Sequence, residues 1–307
     1  MTDKTAVLLI GFGGPTSPDE VRPFLESVLQ GTKIPQARFD EVLKHYEAVG
    51  AISPYNAATF KQKQALERWL EDQGLNLPVF VGFRHSNPSF KDVFLSLKEK
   101  KIERVIGFVL SPLRSYASFD KYLARVEEGK KEAGASSIAV SYADVFHNDP
   151  LFIETQAARV GEVLDRLSKE ERSKVFLLFS AHSIPEEMSR ESGYAEQFIE
   201  IVALVSKRLG IKNGGFAYQS RSGDPRDPWL SPDIKEAIAA MDRVKFQTVV
   251  LVPAGFSSEN AEILYDLDIE ARQKAESLGL RYLRAATAAD HPKFIEMMGR
   301  AILCTSR

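Results

Sequence analysis

Thr248-Val249-Val250-Leu251-Val252-Pro253-Ala254-Gly255-Phe256-Ser257-Ser258-Glu259-Asn260-Ala261-Glu262-Ile263-Leu264-Tyr265-Asp266-Leu267-Asp268-Ile269-Glu270 reads as a buried strand, a small-residue turn and the opening of a helix. The strand is apolar without polar alternation, as in a parallel sheet covered on both faces. On the helix, Glu262, Asp266 and Glu270 fall at i, i+4 and i+8 and share one face. Like charges at that spacing cost a helix about 0.2–0.5 kcal/mol per pair. An acidic column past the carboxyl end of a strand is a candidate track for a hard cation or for protons. A solvated acidic helix face is the plainer alternative.

Val175-Phe176-Leu177-Leu178-Phe179-Ser180-Ala181-His182-Ser183-Ile184-Pro185 has the same form, with a histidine at the turn. Open α/β sheets bind ligands outside the carboxyl ends of their strands, and His182 and Glu262 both follow such ends. A neutral imidazole accepts a proton or ligates a metal near physiological pH. A lone histidine read by itself is more often structural.

The same rhythm runs through the chain. Strands are expected at Ala6–Ile10, Val79–Phe83, Arg104–Leu110, Ile138–Asp144, Val175–Phe179, Gly215–Gln219, Thr248–Pro253 and Arg281–Leu283. Amphipathic helices are expected between them, among others at Pro18–Leu29, Ala58–Asp72, Phe90–Lys98, Ser118–Ala133, Leu151–Lys169, Tyr194–Leu209, Ser231–Met241 and Pro292–Ile302. This βα alternation predicts α/β architecture with parallel sheets. Asn148-Asp149-Pro150 is a natural break. Two domains are therefore expected, 1–150 and 151–307, each with about four strands. A ligand cleft is expected between them.

Composition narrows the classes. The chain has 307 residues, 44% hydrophobic and 27% charged, with a formal net charge of -2. It has no basic surplus for nucleic acid. The N-terminal apolar run of about six residues is too short for a signal-peptide core, and no run nears the ~20 apolar residues of a membrane span. Cys304 is the sole cysteine, so an internal disulfide is excluded and the reducing cytoplasm is expected.

Other loops after strand ends carry polar and aromatic groups. Gly11-Phe12-Gly13-Gly14-Pro15 lacks both the dinucleotide and the P-loop spacing; its glycines suit close backbone approach to a flat ligand or a neighbouring strand. Arg84-His85, Ser115-Tyr116-Ala117-Ser118 and Tyr218-Gln219-Ser220-Arg221 end three further strands. Pro228-Trp229-Leu230-Ser231 leads into a helix, with Ser231 the expected cap and Trp229 a candidate packing anchor. Together the loops suit a broad, flat, anionic-edged ligand. His45 has a helical context, and His147 and His291 read as surface residues with no acidic partner at metal-ligand spacing.

Ser180-Ala181-His182-Ser183-Ile184-Pro185, Tyr218-Gln219-Ser220-Arg221-Ser222-Gly223, Pro228-Trp229-Leu230 and Glu262-Ile263-Leu264-Tyr265-Asp266-Leu267-Asp268 resemble the ferrochelatases. So do Phe12-Gly13-Gly14-Pro15, Glu47-Ala48-Val49-Gly50-Ala51-Ile52-Ser53-Pro54 and Ser115-Tyr116-Ala117-Ser118. The likeness runs in order from about residue 6 to residue 300 and is nearest the bacterial branch that includes coproporphyrin ferrochelatases. The resemblance implies two Rossmann-like, doubly wound, chelatase-like domains, with the last helix packing back on the first. It implies insertion of ferrous iron into coproporphyrin III or protoporphyrin IX in haem biosynthesis, by a monomer.

His182 matches the family's catalytic histidine and Glu262 its partner carboxylate. Asp266 and Glu270 match the acidic row that guides metal or protons. Phe12, Ser53, Tyr116 and Tyr122 match positions that line the macrocycle or its propionates. Iron is a substrate in this reading, with no tightly bound cofactor, and Cys304 alone argues against an iron–sulfur cluster. The chain departs from the family pattern at three places. Asn260 replaces a histidine, Leu113 stands where many members have histidine, and no arginine stands near Gln30. Lys33 or Arg84 is the expected substitute at a propionate. A porphyrin or haem carrier without turnover, and a chelatase for another metal or tetrapyrrole, are the competing functions.

Overall fold

The structure, a computed structural model, describes residues 4–29, 36–222 and 226–305. Gln30, Lys33 and Gly223 lie outside the described residues. The chain divides into two compact units. One holds the chain up to Ser111, Ala117–Val145 and Ala289 onward; the other holds Pro112–Tyr116 and Phe146–Ala288.

All eight expected strands form, within three residues of their expected ends. In the first unit β1 (Thr5–Gly11), β2 (Val79–Phe83), β3 (Arg104–Val109) and β4 (Ala139–Tyr142) make one sheet in the order β2-β1-β3-β4. In the second, β5 (Val175–His182), β6 (Gly214–Gln219), β7 (Thr248–Val252) and β8 (Arg281–Arg284) repeat that order as β6-β5-β7-β8. Every pairing is parallel. Each unit is thus a Rossmann-like α/β layer structure. β1 and β7 are buried along their whole length, which is why their sequences show no polar alternation.

This order matters for function. β1 and β3 lie side by side but their connections leave in opposite directions, and the same holds for β5 and β7. Such switch points open a crevice at the carboxyl ends of the strands. His182 closes β5, and Glu262 follows β7.

The helices differ from expectation in informative places. The expected helix Leu151–Lys169 ends at Leu164, because Ser168 and Glu171 form a capping box that starts a new helix, Lys169–Ser173. The helix expected from Ser231 begins at Ile234. Its cap is Asp233, whose carboxylate accepts from the Lys235 N–H at 2.8 Å while Glu236 closes the box. The acidic segment is not a regular α-helix: Ile263–Ala271 is a nine-residue π-helix, followed by α-helix Arg272–Ser277. A second, shorter π-segment, Tyr116–Asp120, precedes the helix Lys121–Glu132. The π-segments follow β3 and β7, the equivalent strands of the two sheets. π-turns are rare and concentrate at functional sites.

Side chains brace the long π-helix. The Tyr282 hydroxyl donates to the Leu267 carbonyl at 2.6 Å, and Arg272 Nε donates to the Asp268 carbonyl at 3.0 Å. Arg284 forks onto Asp268 at 2.7 and 2.9 Å and also reaches Glu259 at 3.1 Å. Glu259 in turn accepts from the Thr287 N–H at 3.0 Å. Arg284 is mostly buried, and its two carboxylates hold its guanidinium charged against the cost of burial. Removing it leaves Glu259 with only the Thr287 N–H and Asp268 with only the more distant Arg272, at 3.9 Å. Arg284→Ala is expected to lower stability by on the order of 3 kcal/mol, read as a lower urea midpoint with an unchanged slope.

Candidate active site

β5 carries His182 to the rim of the second sheet. The next residue, Ser183, donates its N–H to the Gln219 carbonyl at 2.7 Å, and its hydroxyl donates to the Leu230 carbonyl at 2.9 Å. Tyr194 donates its hydroxyl to the His182 carbonyl at 3.1 Å. These bonds fix the turn independently of the imidazole. The loop after β7 crosses closely: the Gly255 N–H donates to the Ser180 carbonyl at 3.0 Å, and a Cβ on Gly255 would lie 2.6 Å from that of Ala181. Only glycine permits that approach, and it brings the start of the π-helix over the end of β5.

The imidazole Nδ1 faces the Ser183 carbonyl. A carbonyl only accepts, so Nδ1 carries the hydrogen and Nε2 presents a lone pair. Nε2 points at Glu262, with Oε2 at 3.8 Å. That gap is longer than a hydrogen bond and leaves room for a proton or a cation to be shared. The side chains stay 30% and 47% exposed, so solvent reaches the pair. Burial alone would depress His182; Glu262, the Ser183 carbonyl and Asp266 outweigh it and raise its pKa. Burial would raise Glu262, but the facing imidazole holds it below the usual carboxylate range.

One π-turn on, Asp266 accepts a short hydrogen bond from the Ser220 hydroxyl. Ser220 has a φ of 61°, the left-handed region that non-glycine residues seldom adopt. That conformation at the end of β6 aims its hydroxyl at Asp266. Burial, with Glu262 and Glu270 on either side, pushes Asp266 up to about 7. Glu270 is tied to Lys235 at 2.9 Å. Burial opposes the charge on Lys235, yet Glu270 raises its pKa. The acidic column therefore consists of three unlike members: one facing a histidine, one near neutral titration, one salt-bridged. An α-helix has 3.6 residues per turn, so four residues slightly overshoot a turn; in the wider i→i+5 ring they slightly undershoot. Either way Glu262, Asp266 and Glu270 stay on one face.

The sign of the Asp266 effect is definite. Its folded-state pKa is raised, so its contribution to stability is present at pH below about 4 and is lost as pH rises through about 7. Asp266→Asn is uncharged throughout. It is expected to lose less thermal stability than the parent between pH 5.5 and 8, read by parallel melting curves.

The other expected residues lie elsewhere. Tyr116 belongs to the second unit and is 53% exposed. In the first unit Phe12 packs against the rings of His85 at 4.8 Å and Phe24 at 6.0 Å. Ser53 is buried, its N–H donating to the Pro15 carbonyl at 2.9 Å. Gly13, at φ +90°, lets that loop turn close to Ser86, so its glycines serve neighbouring protein groups. Arg84 lies 5.8 Å over the Tyr122 ring and donates to the Ala117 carbonyl at 3.3 Å. Tyr122 is only 7% exposed and sits in the core with Phe90 and Phe119. Arg84 and His85 help line a cavity of about 320 Å³ with Asn56 and Ser27. Burial beside Arg84 keeps His85 neutral, its pKa lowered to about 3.

Two further histidines have definite partners. His147 has an acidic partner: Nε2 lies 3.1 Å from Glu200 on the helix Tyr194–Leu209, brought there by the fold and not by local spacing. His291 caps the last helix, its Nδ1 accepting from the Lys293 N–H at 3.3 Å. Asn260 also has a definite task, accepting the Ile263 N–H at 2.9 Å as a helix cap. Ser220, Lys235, Tyr194 and Arg284 were not singled out from the sequence. Ser220 alone carried a signal, its place after a strand end.

Among the described residues no three His, Cys, Asp or Glu side chains converge as a metal cage. A two-residue His182–Glu262 grip suits a cation that passes through better than one that stays.

A family model described as Ferrochelatase matches residues 4–305. The ferrochelatase of Rhodopirellula baltica is 36% identical over 293 residues, covering 95% of this chain and 83% of that one. The coproporphyrin III ferrochelatase of Nocardia farcinica is 33% identical over 297 residues, with 94% and 84% coverage. That of Mycolicibacterium smegmatis is 33% identical over 296 residues, with 95% and 87% coverage. Among solved structures, the cobalt complex of the sirohydrochlorin chelatase SirB from Bacillus subtilis subspecies spizizenii superposes with a TM-score of 0.57 at 12% identity, covering 98% of this chain and 93% of that one. At that identity the likeness concerns the fold.

Proposed function

The chain belongs to the ferrochelatase family, and from that premise we propose that it inserts ferrous iron into coproporphyrin III, with His182 and Glu262 as the acting pair. The observation that carries the reading is the 3.8 Å approach of a lone-pair-bearing Nε2 to a carboxylate. Two of the relatives named above act on coproporphyrin III, which favours it over protoporphyrin IX.

Metal insertion replaces two pyrrole protons by one divalent cation, so the macrocycle's net charge is unchanged and two protons must leave. His182 accepts a pyrrole proton at Nε2 while Nδ1–H stays on the Ser183 carbonyl. Glu262 stabilises the imidazolium formed, or shares the cation with Nε2 before transfer. Asp266, with its pKa near neutrality, takes the next proton, and Glu270 with Lys235 closes the row towards solvent. The first unit supplies porphyrin contacts: Phe12 an apolar face, Ser53 and Arg84 polar partners for propionates, Tyr122 a support beneath Arg84. Tyr116 contributes an aromatic contact from the second unit. The protein works as a cytoplasmic monomer without an iron–sulfur cluster, since Cys304 is the only cysteine. No described helix is long and apolar enough to cross a membrane.

Anaerobic stopped-flow absorbance with ferrous iron and either porphyrin tests the reading. Fast Soret and Q-band conversion of coproporphyrin III is expected, slower with protoporphyrin IX. Spectral binding shifts without metallation of either porphyrin would favour a carrier.

A further inference from the structure

Two buried polar side chains beside His182 have no task in the fold. Gln219 closes β6 and pairs in register with His182 across the β5–β6 ladder. Partners in a parallel ladder project from the same face of the sheet, with strands about 4.8 Å apart. Gln219 is 1% exposed, and among the described residues neither its amide oxygen nor its amide nitrogen has a hydrogen-bond partner. Ser180 is two residues before His182, hence on the same face. It is fully buried, and its hydroxyl is likewise unpartnered among the described residues. One donor–acceptor amide and one hydroxyl thus lie diagonally across the β5–β6 ladder, on the face that carries His182. Buried polar groups in native proteins are almost always paired, by protein or by ordered water.

The reaction asks for something of this kind. A divalent cation takes four or more ligands. His182 and Glu262 give two, and no third carboxylate, thiolate or imidazole of the described residues converges there. Resting on the metal-insertion reading, we propose that Gln219, with Ser180, is a positioning residue that holds an ordered water on the His182 face, and that this water is the third ligand offered to the incoming cation. The amide accepts from or donates to the water, the Ser180 hydroxyl takes a second site on it, and an oxygen lone pair is left for the metal.

The test uses the porphyrin-free protein titrated anaerobically with Co²⁺, followed by the metal's ligand-field absorption. Gln219→Leu is expected to weaken Co²⁺ binding about tenfold, the usual cost of removing a group that orients a ligand, and Ser180→Ala is expected to shift it in the same direction. In turnover, KM for the metal should rise by a like factor while KM for porphyrin stays put, a split that a general loss of packing does not produce. Unchanged Co²⁺ affinity in both variants overturns the proposal. So does a crystal structure of the Zn²⁺-loaded protein in which the Gln219 amide is bonded by protein groups or lies directly on the metal. If Gln219→Leu does not fold, Ser180→Ala and that crystal structure decide. Failure of the parent protein to metallate any porphyrin would strike the metal-insertion reading instead, and the Co²⁺ titration would still judge the water site.

Discussion

His182→Ala is expected to lower kcat for metal insertion by about a thousandfold, within the range for losing a positioned acid–base group, with porphyrin affinity nearly unchanged. The substitution removes the Nε2 lone pair and the pairing with Glu262, but none of the bonds that hold the turn. The turn is held by the Ser183 N–H on the Gln219 carbonyl and by the Tyr194 hydroxyl on the His182 carbonyl, and both bonds survive. The raised pKa of His182 adds a pH signature. Only neutral imidazole accepts a proton, so the parent's rate climbs as pH rises through that pKa, and the alanine variant should lose this limb. Stopped-flow rates across pH, set beside equilibrium porphyrin titration, check both halves. An alanine variant that turns over at the parental rate would remove His182 from the mechanism.

Glu262→Gln is expected to cost about a hundredfold in kcat and to move the same limb to lower pH. Burial depresses His182 and Glu262 is the largest group opposing it; with a neutral amide in its place, that opposition is lost and the His182 pKa falls. The stability effect has the matching sign. A histidine with a raised folded-state pKa stabilises the fold at low pH and loses that contribution as pH rises through the folded value. The glutamine variant should therefore be less stable than the parent under mildly acidic conditions and converge on it at alkaline pH. Thermal melts at several pH values would show this, and a constant gap across the range would contradict the pairing.

Much of this was legible in the residues. The eight strands announced themselves because parallel strands covered on both sides are uninterrupted apolar runs. His182 and Glu262 were found because they stand where such runs end. Other features depended on contacts distant in sequence. Nothing in Ile263–Ala271 distinguishes a π-helix from an α-helix; Tyr282 and Arg284, on β8, brace it. The near-neutral Asp266 depends on burial and on the flanking carboxylates, against the lowering pull of Ser220, 46 positions away. The partner of His147 had no local signal because Glu200 reaches it from another helix. The cap of the helix at Ile234 was placed two residues early because Asp233, with its own capping box, competes with Ser231.

The long π-helix also constrains how this chain can evolve. A π-turn encloses one backbone residue more than an α-turn, so the segment after β7 carries surplus length that an ordinary helix would shed. Losing a codon there would relax the backbone towards the commoner geometry, and so would seem harmless to stability. It would also shift every later side chain along and around the helix axis against Glu262. Asp266 would swing away from Ser220, and Glu270 from Lys235. Point changes along Ile263–Ala271 can drift, but insertions and deletions are barred, and the spacing from Glu262 to Glu270 should be among the least variable lengths in the gene.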